Sequence, residues 1–194
     1  MVTIARSDDL AMVGANGGGW CGPRGTAQPL DPRNAPTAPW AALGTISDDG
    51  LTTAFDEDSE SFTGWGQSAP FRTVITSSVR TLQFTLWETR RPIVRSIMFR
   101  QPLAALDPDV DGIVTFAESA TVTPDRRSWI FDIYDGDLWE RIYIPEGEVT
   151  DRGDDSAKQD EMRGFELTVT AYPDAANNTL YRAYLAPELY EVNS

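Results

Sequence analysis

A chain of 194 residues with a formal charge of −14, no histidine and one lysine, Lys158, is restricted before any motif is read. Without histidine, Ser–His–Asp and Cys–His catalytic sets and two-histidine metal sites are excluded, and so acidic a surface repels polyanions instead of gathering them. The length fits one domain with a real hydrophobic core, and the single cysteine, Cys21, rules out an internal disulfide and suits a reducing compartment.

The opening MVTIARSDDLAMVG carries acidic residues where a signal peptide needs a basic start and an unbroken apolar run. No later stretch reaches the ~20 apolar residues of a membrane helix, so neither export by this route nor a membrane partner is expected. Residues 14–39 are dense in glycine and proline, which favour turning or extended backbone and cannot sustain a helix. They predict an extended N-terminal arm over 1–39, ordered by what it lies against, before a single β domain over 40–194.

From Trp40 onward the dominant signal has period two. Leu82, Phe84 and Leu86 alternate with Thr81, Gln83 and Thr85, and Phe165, Leu167 and Val169 alternate with Glu166, Thr168 and Thr170. Trp129–Ile133 and Arg141–Ile144 are short β-branched or aromatic runs. About eight strands are expected. Asp48-Asp49-Gly50 predicts a hairpin between Ala41–Ile46 and Leu51–Phe55, and Asp135-Gly136-Asp137 one between Trp129–Tyr134 and Leu138–Ile144, because glycine takes the positive φ of tight turns.

One segment, roughly Thr89–Arg100, reads as helix: Ile93, Val94, Ile97 and Met98 share a face, Arg90, Arg91 and Arg95 stay towards solvent, and Pro102 sets the end. The acidic stretches Asp56–Ser61 and Thr150–Glu161 read as solvated loops. The whole pattern is mainly β: a two-sheet sandwich or barrel with one flanking helix and the arm.

A series of pieces in order over about residues 20–100 carries a resemblance. GPRGTAQP and PWAALGTISDDGL are followed by Glu57-Asp58-Ser59-Glu60, Trp65-Gly66, Pro70-Phe71-Arg72 and LQFTLWET. Together they resemble the major tail tube proteins of long non-contractile-tailed bacteriophages, the siphophages. The resemblance implies a two-sheet β domain with a flanking helix that assembles into six-membered rings. Such rings stack into a tube around the tape-measure protein, meet tail-tip and terminator proteins, and later pass DNA as non-adhering cargo during ejection. It also implies a structural virion protein made in the host bacterial cytoplasm, with no catalytic residue and no required cofactor.

The residues suggest how such a tube would be built. The polar faces at Thr81, Gln83 and Thr85 and at Glu166, Thr168 and Thr170 suit either a wet channel wall or an ordinary solvated sheet face. The stretch Asp56–Ala69, with Asp56, Glu57, Asp58, Phe62 and Trp65, mixes acids with aromatics as an interface anchor would, and is the candidate ring-stacking loop; alternatively Trp65 caps the subunit's own core. The Gly/Pro arm either crosses to a neighbour or is a mobile terminus.

One motif points elsewhere. Asp107-Pro-Asp109-Val-Asp111-Gly112, five further residues and Glu118 match a twelve-residue calcium loop, with Val114 at the eighth place. Pro102 interrupts any entering helix, and the plain alternative is an acidic turn leading into a strand Ile113–Glu118. On this loop rests a second function: a calcium-stabilised β-sandwich that binds carbohydrate or a receptor, with Trp20, Trp40, Trp65, Trp87, Trp129 and Trp139 as sugar-stacking candidates. An enzyme is not expected, since no carboxylate pair has a spacing that marks a glycosidase-like site.

Overall fold

The computed structural model of the protein describes residues 11–29 and 31–185; the first ten residues of the expected arm, residue 30, and residues 186–194 lie outside the described residues. The strands are β1 (Asn16–Pro23), β2 (Ala41–Gly44), β3 (Ile46–Thr63), β4 (Pro70–Leu86), β5 (Arg126–Asp135), β6 (Leu138–Arg152), β7 (Phe165–Tyr172) and β8 (Tyr181–Tyr184), with one helix, α1 (Pro92–Phe99), and a 3-10 turn at Leu103–Leu106. The strands form one eight-stranded sheet in the order β2-β1-β5-β6-β7-β4-β3, with β8 also on β6. The mainly β architecture, with a single α-helix among the described residues, is the one expected from the sequence pattern.

The two layers are opposite halves of this one curled sheet. Phe84 on β4 and Phe131 on β5 have ring centroids 4.9 Å apart although β6 and β7 lie between them in the hydrogen-bonded order. Three strand spacings in a flat sheet would separate them by roughly 14 Å, so the sheet wraps around its own apolar face as a barrel does. Its two ends, β2 and β3, are consecutive in the chain and joined through Thr45. Glu88 clamps this seam: its Oε1 accepts from Thr45 N at 2.9 Å and Thr45 Oγ1 at 3.0 Å, while Oε2 accepts from Arg91 Nε at 2.9 Å. A Cβ on Gly44 would stand 2.5 Å from the Glu88 carboxyl carbon, and Gly44 has φ +87°, so glycine is required there. Two pieces of the resemblance, Leu43-Gly44 and Trp87-Glu88-Thr89, thus meet at one joint.

The core follows the period-two reading. Leu82 pairs with Val169, Phe84 with Leu167 and Leu86 with Phe165 across β4 and β7, and all six are buried. On α1, Ile93, Val94, Ile97 and Met98 are buried as expected and press onto this core. The helix is shorter than predicted at both ends. Pro92 opens it, since the residue before a proline avoids helical backbone, and it closes on Arg100 in the left-handed conformation (φ 51°), ahead of Pro102.

Three local expectations are corrected. Asp48-Asp49-Gly50 is not a hairpin turn: β2 pairs with β1 and β3 with β4, and these residues form a bulge in β3 between Ile46, opposite Leu86, and Leu51, opposite Phe84. Asn16–Pro23, expected in the arm, is a strand hydrogen-bonded to β5 and β2. Its glycines are there for close packing, because a Cβ on Gly19 would sit 2.9 Å from Leu43 Cδ1 and 3.2 Å from Phe131 Cε1. The stretch Ile113–Glu118 is irregular, not a strand. The second predicted hairpin is present, with Asp135 opposite Leu138 and Gly136 at φ +57°.

The rest of the Gly/Pro segment, described over 24–29 and 31–40, straps across the outer face of β5 and β6. Arg141, fully buried, holds it there. Its guanidinium is bidentate on Asp132 (Nε to Oδ1 2.6 Å, Nη2 to Oδ2 2.7 Å) and donates to the carbonyls of Asp31 at 3.0 Å and Asn34 at 2.9 Å, with longer contacts to Pro29 and Pro32. Tyr143 donates to Thr26 O at 2.8 Å and meets Trp40 edge-on at 6.2 Å. Burial pushes the Asp132 carboxyl above its ordinary pKa, against the pull of the facing guanidinium. Covered on both faces, Ser128–Asp132 and Arg141–Pro145 are continuously buried.

Candidate functional site

Beyond Phe55 and Arg80 the β3–β4 pair leaves the barrel and continues as a two-stranded ribbon to its tip at Gly64–Ala69. The acidic stretch Asp56–Ser61 is therefore strand, not loop. Its backbone is paired to β4 from Asp56 opposite Val79 to Phe62 opposite Arg72. A ribbon of eight residues past the barrel, Asp56–Thr63, reaches roughly 26 Å. Almost every side chain on it is exposed; Val74 and Ser77 are half-buried.

Within the candidate stacking set, Asp56 and Asp58 point to one face of β3 and Glu57 to the other, where Arg80 Nη2 donates to it at 2.8 Å and holds its carboxyl below the ordinary range. Ser77 Oγ donates to Asp58 Oδ2 at 2.8 Å. Phe62 lies near the tip and Trp65 in the tip turn, with Gln67 N donating to Gly64 O at 3.1 Å and Gly66 at φ +77°. Trp65 is 105% exposed and caps nothing in its own subunit. The structure adds Phe55, Phe71, Ile75 and Val79 to the exposed apolar side chains of the ribbon. The signal for these was present in RTVITSSVR, a β-branched run directly after the acidic stretch. Large apolar groups held out in water on both strands of one projection mark a contact surface.

The polar residues proposed for a channel wall come together. Thr81 lies opposite Thr170, Gln83 opposite Thr168 and Thr85 opposite Glu166, all facing away from the core, and Gln83 Nε2 donates to Glu166 Oε1. Thr150 and Thr170 share a hydroxyl hydrogen bond of 2.7 Å, carrying the polar stripe onto β6.

In the acidic loop, Asp109 Oδ1 accepts from the backbone N–H of Asp111 at 2.9 Å and of Ile113 at 2.8 Å, and Gly112 takes φ +77°. This is an Asx-type turn stabilised by its own backbone. Among the described residues no group of three or more His, Cys, Asp or Glu is placed to hold a metal, so Asp107, Asp109, Asp111 and Glu118 are not gathered. Of the tryptophans, Trp129 is buried, Trp20, Trp40, Trp87 and Trp139 are half-buried, and Trp65 is exposed, so they present no shared aromatic platform.

A family model described as phage tail tube protein matches residues 4–192. The chain belongs to the phage tail tube protein family. No curated protein matches it. As a tail tube protein it is a structural component of the virion tail that self-assembles into a tube, and not an enzyme. Among the described residues, no helix of this tail tube protein is long and apolar enough to cross a membrane.

Proposed function

We propose that the protein forms six-membered rings that stack into the tube of a long non-contractile siphophage tail, enclosing the tape-measure protein and later conducting DNA. The observation that carries this reading is the ribbon that leaves the barrel with exposed aromatics at its tip. Neither of its faces is covered by the subunit, so a neighbour must supply its partner surface. At the seam-side edge, β3 ends the sheet order and offers unpaired backbone groups that a neighbouring subunit in a ring would complete.

The Thr81, Gln83, Thr85, Glu166 and Thr168 face suits the channel lining, since hydroxyls and amides keep a wall wet without attracting phosphate. The −14 of each subunit adds repulsion that lets the duplex slide. The test is electron microscopy of the purified protein and of a variant lacking Phe62–Trp65. Wild type is expected to give hollow six-fold rings and tubes, and the variant to stay folded without growing ring on ring. Normal tubes from the deletion would refute the role of the ribbon.

A further inference from the structure

We propose that the groove beside α1 lined by Arg90, Pro92, Arg95, Leu106, Pro108 and Val114 is the receptor for the β3–β4 ribbon of a second copy in the next ring. This inference rests on the stacked-ring reading and names the surface that reading leaves open.

Position is the first reason. β4 is one strand of 17 residues, roughly 55 Å long, with the ribbon tip at its Pro70 end. At the Leu86 end the chain turns directly into α1, whose Phe99 packs edge-on against Phe165, the partner of Leu86, at 5.8 Å. Ribbon tip and groove therefore occupy opposite ends of the molecule. A projection at one end and a cavity at the other define a head-to-tail contact, the kind that propagates without closing.

Charge is the second. Asp56, Asp58 and Glu60 alternate along β3 and so share a face, and none has an ion pair among the described residues. The groove, with a volume of about 430 Å³, has Arg90 and Arg95 in its lining and no acidic residue. Neither arginine has an ion pair among the described residues; Arg95 Nε donates to the Thr89 carbonyl at 3.1 Å, while the Arg90 side chain has no hydrogen bond among the described residues. Asp107 and Asp111 are chain neighbours of the lining residues Pro108 and Gly112, and Arg72 near the ribbon tip, which also lacks an ion pair among the described residues, carries the opposite charge.

Apolar surface is the third. The loop that forms one wall of the groove leaves Val110 at 101% and Ile113 at 58% exposure, a second apolar patch that the fold itself does not use. Trp65 and Phe62 are large enough to cover it, and a buried aromatic anchor ringed by charge pairs is how a small interface gains strength.

The experiment uses the full chain in three forms: wild type, R90E/R95E, and R90E/R95E combined with D56R/D58R/E60R. Circular dichroism establishes folding, and pelleting with electron microscopy measures tubes. R90E/R95E is expected to form rings but to lose at least about tenfold in pelleted tube, because like charges now face each other. The combined reversal restores growth, and added salt weakens wild-type growth. In a second measurement, tubes grown from mixed W65C and V110C variants give a chain-to-chain cross-link with a short bismaleimide. If wild-type tubes grow and R90E/R95E tubes grow equally well, or the cross-link is absent from grown tubes, the groove is not the receptor while the tube reading stands. If wild type forms neither rings nor tubes, the stacked-ring reading itself falls and the inference with it.

Discussion

Arg141 offers the sharpest test of what holds this barrel together. Arg141→Met keeps most of the side-chain volume but removes a guanidinium that is fully buried, bidentate on Asp132 and bonded to the strap carbonyls of Asp31 and Asn34. Breaking a buried pair from one side leaves an uncompensated charge and costs about 3–5 kcal/mol. For a chain of this size each kcal/mol is worth 2–4 °C, so the thermal midpoint should fall by roughly 6–20 °C. The pH dependence has a definite sign. Burial already raises the Asp132 carboxyl, and without Arg141 it rises further. The folded variant then takes up a proton at a pH where the unfolded chain does not, so its deficit narrows as pH falls towards that raised value. Arg141→Met/Asp132→Leu should recover much of the loss, since it leaves no orphaned charge. Calorimetry between pH 8 and pH 4 measures all three proteins. A deficit below about 1 kcal/mol, the scale of an exposed pair, or a double variant no better than the single one, would refute the reasoning.

Other outcomes follow from the same structure. Gly147→Ala places a Cβ 2.6 Å from Trp129 Cδ1 and 2.8 Å from Val169 Cγ1, and should cost about 1–3 kcal/mol by overpacking, read from urea denaturation. Cys21 is fully buried and its thiol is pushed up to about 12 by that burial, so a thiol reagent at pH 8 should label it at the rate of unfolding and not before. Fast labelling of the folded protein would contradict the placement of β1. Glu146 is held below its ordinary pKa by Arg24 and then Arg126, so its contribution is present above about pH 4.3 and lost as pH falls through the depressed value. Glu146→Gln should therefore flatten the acid limb of a plot of thermal midpoint against pH.

How much of this was legible depends on whether a strand has one wet face. β4 and β7 are half-buried where they meet, so Leu82, Phe84, Leu86 and Phe165, Leu167, Val169 announce themselves by alternation. The ribbon has two wet faces, so Asp56–Ser61 carries no such rhythm and looks like a loop although it is fully paired. β1 fails for the opposite reason: its glycines mimic a flexible arm, but at Gly19 a Cβ would stand only 2.9 Å from Leu43 and 3.2 Å from Phe131. Asp48-Asp49-Gly50 has the chemistry of a turn, and the same positive φ at Gly50 serves a bulge equally well. The Arg141–Asp132 pair was within reach. Counting outward equally from the Gly136-Asp137 turn sets the two opposite each other, Asp132 inside an apolar run and Arg141 at the head of another. The groove beside α1 was not, because Arg90, Arg95 and Val114 are brought together only by the path of the loop after the helix.

The strap shows what kind of sequence such a design tolerates. Arg141 grips it by main-chain oxygens alone, so the grip does not depend on which side chains the strap carries. Towards Arg141 the strap offers only acceptors, so proline, which has no amide hydrogen, fits at positions such as Pro29 and Pro32 without penalty while stiffening the chain before it folds. Divergence should therefore run more freely along residues 35–39 than at Asp31, Arg33 and Asn34, which hold the strap's own turn, and stop abruptly at the two charged residues beneath them. A designer could rewrite the strap's outer surface, as a site for a tag or an epitope, without reopening the barrel.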